Sequence, residues 1–197
     1  VTDASVSVLS LTLSTGTIPN HWRKYKVPKA TSVAEWIPNF ARRLSQLARV
    51  AERGAAAPLG DVAVWLGGLF FPEAYVTATR QAIAHRRRWS LETLHLRVDL
   101  ERVNEPEAFV VDGLVLQGAG WAGDRLVLND GDAVRLGASQ LRWVQAEPGA
   151  GPLPGSVTLP VYLNDDRADV LFTVELPFGD DAGTVVAMRA VCLTASG

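Results

Sequence analysis

The side chains that most often carry chemistry are few in this protein and widely spaced. Its 197 residues include three histidines, His21, His85 and His95, and one cysteine, Cys192. No histidine lies four residues from another or close to the cysteine, so the sequence offers no local zinc-ligand spacing. Cys192 stands between Val191 and Leu193, a setting for a buried inert thiol and not for an activated nucleophile. Asp165, Asp166 and Asp169 bracket Arg167. A calcium loop needs more oxygen ligands at stricter spacing, so a charged hairpin is expected there, and Asp180-Asp181 reads the same way. Gly118, Gly120 and Gly123 satisfy G-x-G-x-x-G. In a dinucleotide site that loop opens a helix whose N-terminus receives the pyrophosphate. Here strand-like Arg125–Leu128 follows, so a β-turn is expected. With no G-x-x-x-x-G-K-S/T, triphosphate binding in the P-loop manner is not expected. The sequence thus predicts no catalytic, cofactor or metal site in this protein.

Composition bounds what remains. Apolar residues make up 48% of the chain and six are Trp, enough for a core of one generous domain or two small subdomains. No apolar run reaches the roughly 18 residues that cross a bilayer. Residues 1–17 lack a basic leader with a long apolar block, so no signal peptide is expected. A single cysteine fits a reducing compartment such as the cytosol. The net charge of −2 conceals a division. Residues 1–97 carry a net +7 and residues 98–197 a net −9. Two readings follow: solvated faces of opposite sign, or a basic half that faces an acidic partner. Nucleic acid is disfavoured, because the basic residues are not interleaved with a stacking platform.

The elements fall in two blocks. Residues 1–17 suit a short strand or a frayed helix, and 18–29, with Pro19 and Pro28, read as an extended connector anchored by Trp22 and Tyr25. A helix is predicted over 33–53. Ser32 and Glu35 have capping-box spacing. Val33, Trp36, Phe40, Leu44, Leu47 and Ala51 line one face, with Arg42, Arg49 and Arg53 opposite. Pro38 should kink its first turns. Residues 61–71 read as a short buried helix broken by Gly67-Gly68. Pro72 opens a second long helix at the first-turn position it favours. Glu73 lies in its first turn and Arg86, Arg87 and Arg88 in its last, each suited to the helix dipole. Arg86 is placed beside the apolar face, and Ser90 caps one more turn to Leu94. From His95 the period becomes two. Strands are predicted from His95 to Glu101 and over 109–117, 125–128, 140–145, 156–163, 170–176 and 185–193. The expected fold is therefore α+β: a connector (1–30), a helical subdomain (31–94) and an antiparallel barrel or sandwich (95–197).

The segment Trp65-Leu-Gly-Gly-Leu-Phe-Phe-Pro-Glu-Ala-Tyr-Val-Thr-Ala-Thr-Arg-Gln81 resembles the hallmark of the C-terminal domain of dynein heavy chains. Further blocks agree in order: Ile18-Pro-Asn-His-Trp-Arg-Lys-Tyr25 with Val27-Pro28, Trp89-Ser-Leu-Glu-Thr-Leu94, Gly113-Leu-Val-Leu-Gln-Gly118, Leu141-Arg-Trp-Val144, Val157-Thr-Leu-Pro-Val-Tyr-Leu163 and Arg167-Ala-Asp-Val-Leu-Phe-Thr-Val174. The Pro-Glu-Ala-Tyr and Leu-Pro-Val-Tyr-Leu details look closer to cytoplasmic than to axonemal dyneins. The resemblance covers about residues 18–193. Residues 1–17 match it poorly, and the Arg86–Arg88 run and the Gly120/Gly123 turn look particular to this protein.

That resemblance implies helices followed by an incomplete antiparallel β-barrel of six to seven strands, packed on one face of a ring of AAA+ modules. It implies no ATP hydrolysis in this domain, with ATP and Mg bound by upstream modules. It implies a role in tuning the processivity and force of a minus-end-directed microtubule motor in the cytoplasm. The partners implied are the ring of the same polypeptide, microtubules, and dynein intermediate and light chains, with no nucleic acid and no membrane. Trp22, Arg23, Arg42, Arg86 and Arg87 are the residues expected to contribute to ring docking. Two readings from other classes remain: a free-standing β-barrel that binds a small ligand or peptide in an open apolar pocket, and a hydrolase whose carboxylates or histidine meet only in space.

Overall fold

The computed structural model describes residues 3–25, 31–53, 62–99, 105, 107–122, 125–163, 166–177 and 192–194. The polypeptide divides into two compact units, Val1–Glu52 and Arg53–Gly197. This boundary lies well before the change from helical to strand periodicity near residue 94.

In the first unit, α1 (Asp3–Ser14) resolves the ambiguity of residues 1–17 in favour of helix. Its hydroxyls bond back along the turn: Thr12 Oγ1 donates to the Val8 carbonyl at 2.8 Å and Ser14 Oγ to the Leu11 carbonyl at 2.8 Å. The helix stops at Gly16, whose φ of +72° is open to glycine at no steric cost. Asn20–Tyr25 form a 3₁₀ turn where an extended connector was expected. The Trp22 N–H donates to the Pro19 carbonyl at 2.9 Å, which closes the backbone locally.

Helix α2 (Val33–Arg53) begins on the expected capping box. The Ser32 N–H donates to Glu35 Oε2 at 2.9 Å, and the Glu35 N–H donates to Ser32 Oγ at 3.2 Å. The helix runs on through Pro38. Its buried face differs from the apolar stripe read in the sequence. Trp36, Arg43 and Gln46 are buried, whereas Leu44 is 48% exposed. The Arg43 guanidinium lies 5.6 Å from the Trp36 ring centre, and its Nε donates to Asn39 Oδ1 at 2.7 Å. A long aliphatic stem lets an arginine occupy such a face while its head finds polar partners.

The second unit holds α3 (Pro72–Arg87) and nine described strands: β1 (Val64–Trp65), β2 (Leu94–Asp99), β3 (Ala108–Asp112), β4 (Val115–Ala122), β5 (Arg125–Arg135), β6 (Ser139–Gln145), β7 (Ser156–Tyr162), β8 (Val170–Pro177) and β9 (Cys192–Thr194). They form one sheet in the order β1-β3-β6-β2-β8-β7-β9-β4-β5. The α+β class holds, but nine described strands in a mixed sheet stand where an incomplete antiparallel barrel of about six to seven was expected. Pairs β1–β3, β2–β8 and β7–β9 are parallel and the other five antiparallel. Among the described residues no pairing joins β1 to β5.

Three local readings are corrected. Of the predicted helix 61–71, the described residues 62–71 do not make an α-helix: Val64–Trp65 pair with Val111–Asp112, and only Leu66–Gly68 turn, as 3₁₀. The predicted strand 109–117 is two strands, divided where Gly113 takes φ +80°. The glycine motif is not wholly a turn. Gly118 and Gly120 lie inside β4, and Gly118, with φ +79°, sits at the irregularity between Gln117 and Ala119. That is a β-bulge position, where glycine supplies the left-handed residue. Gly123, Asp165, Asp180, Asp181 and most of the predicted strand 185–193 lie outside the described residues, as does the Cys192 side chain.

One face of the sheet is apolar. Leu96, Val98, Phe109, Leu141, Leu159 and Val174 on it are all 2% exposed or less. Helix α3 covers this face, with Tyr75 edge-on to Phe109 at 6.0 Å and Trp143 Nε1 donating to Thr79 Oγ1 at 2.9 Å.

Candidate functional site

Alternation along β2 puts His95, Arg97 and Asp99 on the face opposite that core. The register extends this polar row sideways. Arg97 stands opposite Arg142 of β6 and Glu175 of β8, and Glu175 stands opposite Thr158 of β7. The result is a band of charged and hydroxyl groups across four adjacent strands.

Each carboxylate in the band has donors. Arg142 grips Asp99 with two bonds, Nε to Oδ2 at 3.0 Å and an Nη to Oδ1 at 3.2 Å, and Arg97 Nε lies 3.6 Å from Asp99 Oδ1. The bond to Asp99 holds the Arg142 guanidinium above the usual arginine value. Ser156 Oγ and Thr158 Oγ1 lie 2.9 and 2.8 Å from the two Glu175 oxygens, and His95 Nδ1 is 3.7 Å from one of them. At the end of α3, Arg87 bonds to Glu107 and its guanidinium lies 5.7 Å from the Trp89 ring centre. The acids lie deep, with the Asp99, Glu107 and Glu175 side chains at 5–6% exposure, while Arg87, Arg97 and Arg142 reach 43%, 35% and 25%. The surface of the band is therefore the guanidinium groups of Arg97 and Arg142 over a floor of Asp99 and Glu175, and Arg87 over Glu107 is a separate pair at the end of α3.

The five residues expected to dock fall in both units. Trp22 is half-buried against the edge of His21, with ring centres 6.1 Å apart, and Arg23 and Arg42 are exposed. Arg86 and Arg87 belong to the second unit and are both exposed. Arg86, placed beside the apolar face in the sequence, is exposed at the end of α3. There Ile83 and Ala84 are buried, and Arg87 reaches Glu107, just before β3. Sequence reasoning missed Arg80, Arg97 and Arg142. Arg80 lies 5.6 Å from the Trp143 ring centre and donates to the Leu91 carbonyl. The period-two pattern of β2 did mark Arg97 and Asp99 as facing away from the core, but nothing local marks Arg142 and Glu175 beside them. His85 is exposed and His95 faces Glu175. Among the described residues, no three His, Cys, Asp or Glu side chains gather as a metal-holding group. The charged turn appears as expected at Arg167, where the Ala168 N–H donates to Asp166 Oδ1 at 3.2 Å.

A separate groove of about 630 Å³ lies along the loop 146–154 and is lined also by Thr93 and Gln145. Pro148, Pro152 and Pro154 stiffen its wall. It is formed by a loop at strand ends and not by a barrel interior, which is where a ligand-binding barrel would hold its pocket.

Comparison with known proteins gives a consistent picture. Residues 1–195 match the model of the C-terminal domain of the dynein heavy chain. The sequence is 40% identical over 169 residues to the cytoplasmic dynein heavy chain of Drosophila melanogaster, a match to 82% of this protein and 4% of that one. It is 35% identical over 174 residues to the cytoplasmic dynein heavy chain of Dictyostelium discoideum, a match to 86% and 4%. Dynein axonemal heavy chain 10 of Homo sapiens is 30% identical over 195 residues, a match to 91% and 4%. The protein thus spans about 4% of the length of the curated relatives it matches.

Proposed function

The protein belongs to the family of dynein heavy-chain domains that lie at the C-terminus, and from that premise we propose that it is the non-catalytic terminal domain of a cytoplasmic-type dynein. It docks on the AAA+ ring of its own heavy chain and tunes the processivity and force of a minus-end-directed microtubule motor. The observation that carries this reading is the match over residues 1–195, joined by relatives named as cytoplasmic heavy chains. ATP and Mg belong to the upstream modules, and this domain acts mechanically, as a packed layer that restrains movement between ring modules. Its wider partners are microtubules and the intermediate and light chains, in the cytoplasm.

A stable dock needs an interface of roughly 1,000 Å² or more. We assign part of it to the basic residues Arg23, Arg42, Arg86 and Arg87, with Trp22 as an aromatic anchor of the kind enriched at interface centres. The deep Glu107 restricts how Arg87 can turn, so a partner meets a guanidinium already oriented. The test is deletion of this domain from the intact motor, with run length and stall force read on single molecules. A change in either is expected; if both stay at the wild-type value, the regulatory role is wrong while the family assignment stands.

A further inference from the structure

We propose that Ser90 is a phosphoacceptor for a basophilic serine/threonine protein kinase. Arg87-Arg88-Trp89-Ser90-Leu91 places guanidinium groups three and two positions before a hydroxyl and an aliphatic side chain one position after it. A kinase groove with carboxylates on one side of its reaction centre and an apolar pocket on the other reads that order. Guanidinium pairs with carboxylate in a bidentate fork, and charge pattern is how such enzymes separate substrates.

The fold presents the segment. Helix α3 ends at Arg87, and Arg88 turns the backbone with φ 57° and ψ 38°. The Trp89 N–H closes that turn on the Ala84 carbonyl at 3.0 Å. Ser90 follows in extended backbone, φ −69° and ψ 138°, and its hydroxyl makes no capping bond to the short turn after it. The Ser90 carbonyl, not the hydroxyl, takes the Thr93 N–H and Thr93 Oγ1, at 3.2 and 2.9 Å. Arg88 and Ser90 are exposed and Leu91 is 43% exposed. For the five residues to lie extended in a kinase groove, two residues in helical turns, Arg87 at the end of α3 and Leu91 at the start of the 3₁₀ turn, must leave their places, and Arg87 must release Glu107; helices open at least cost at such ends.

The same spacing occurs at Arg42-Arg43-Leu44-Ser45, and there the structure argues against it. Those residues lie inside the 21-residue helix α2, Arg43 is 6% exposed, and the residue after the serine is Gln46 at 3% exposure. Reaching Ser45 would require unwinding the helix in its middle.

In the reaction, Ser90 Oγ bonds to the γ-phosphorus of ATP supplied with the kinase. The bond from that phosphorus to the β–γ bridging oxygen breaks, and ADP leaves with the electron pair. The hydroxyl proton passes to the catalytic carboxylate of the kinase. The product carries a charge of about −1.5 to −2 among Arg86, Arg87 and Arg88, where it competes with Glu107 for Arg87.

The test treats the intact folded protein with Mg-ATP and the catalytic subunit of a kinase that selects arginine at those two positions, and maps the phosphate by mass spectrometry. Circular dichroism confirms that each variant is folded. The expected result is phosphate on Ser90, lost in Ser90→Ala and unchanged in Ser45→Ala. Arg88→Asn keeps a residue tolerant of the left-handed turn and removes one charged pairing, so the rate should fall about tenfold. The proposal is overturned by phosphate elsewhere but not on Ser90, by labelling of Ser90 only after heat denaturation, or by a wild-type rate in Arg88→Asn.

Discussion

A Cβ on Gly68 would stand 2.7 Å from two atoms of the Trp65 indole, well inside the separation at which carbon atoms attract. Trp65 is 4% exposed and belongs to β1, so the ring has little room to retreat. Gly68→Ala should therefore destabilise the second unit by about 1–3 kcal/mol through overpacking, read as a lower denaturation midpoint. An unchanged midpoint would mean that the ring can slide. Glycine here serves close approach and not a left-handed turn, which explains why Gly67-Gly68 looked like a helix break. The sequence showed that Trp65, Leu66, Leu69, Phe70 and Phe71 cannot all face solvent, and the structure buries Trp65 and Leu66 while leaving Phe71 65% exposed. The sequence could not show that the indole lies on its own neighbour three residues on, because that contact depends on the 3₁₀ turn of Leu66–Gly68.

Among the elements, α2 was the most legible. Its start rests on two residues, and the capping box forms as the spacing demands. Ser32→Ala should cost about 0.5–2 kcal/mol of helix stability. The Ser32 N–H, and after it the Ser32 hydroxyl, which donates to Glu35 Oε2 at 2.8 Å, hold the Glu35 carboxyl below its ordinary value of 4.5. A lowered carboxylate stabilises the folded form fully above its unfolded pKa, and that contribution is lost as pH falls through the lower folded value. Helicity followed through acid titration should therefore show the advantage of the wild type over Glu35→Gln shrinking below pH 4.5; a constant difference down to the acid limit would remove the ionic part of the cap. The buried stripe of α2 was read less well. Leu44 faces out and Arg43 in, because the pairing of Arg43 with Trp36 and Asn39 outweighs hydropathy.

For the whole molecule, the opposite charges of residues 1–97 and 98–197 leave each half able to steer a partner while the total stays near neutral. If the basic residues form the dock, association of this domain with the rest of the heavy chain should weaken as ionic strength rises, mainly through a slower on-rate. Titration calorimetry and stopped-flow mixing across a salt series would measure it, and an affinity independent of salt would assign the dock to apolar contacts instead. Helix α3 belongs with the sheet although its sequence reads as part of a helical block. The Thr79–Trp143 bond and the Arg87–Glu107 pair link residues 64 and 20 positions apart.

The sequence by itself determined the local structure wherever a few neighbouring residues decide it: the cap of α2, the proline start of α3, the alternation of β2, and the long matched blocks that mark the family. The tertiary structure alone decided what depends on distant partners. It placed Val64–Trp65 beside Val111–Asp112 as a parallel strand, which no alternation in two residues can announce. It gathered Arg97, Asp99, Arg142 and Glu175 on one face through register. It separated Ser90 from Ser45, two serines behind the same pair of arginines, by leaving one in extended backbone and the other within a helix. A hydroxyl's chemistry is written in its residue type, but its availability depends on the backbone that carries it and on what that backbone is packed against.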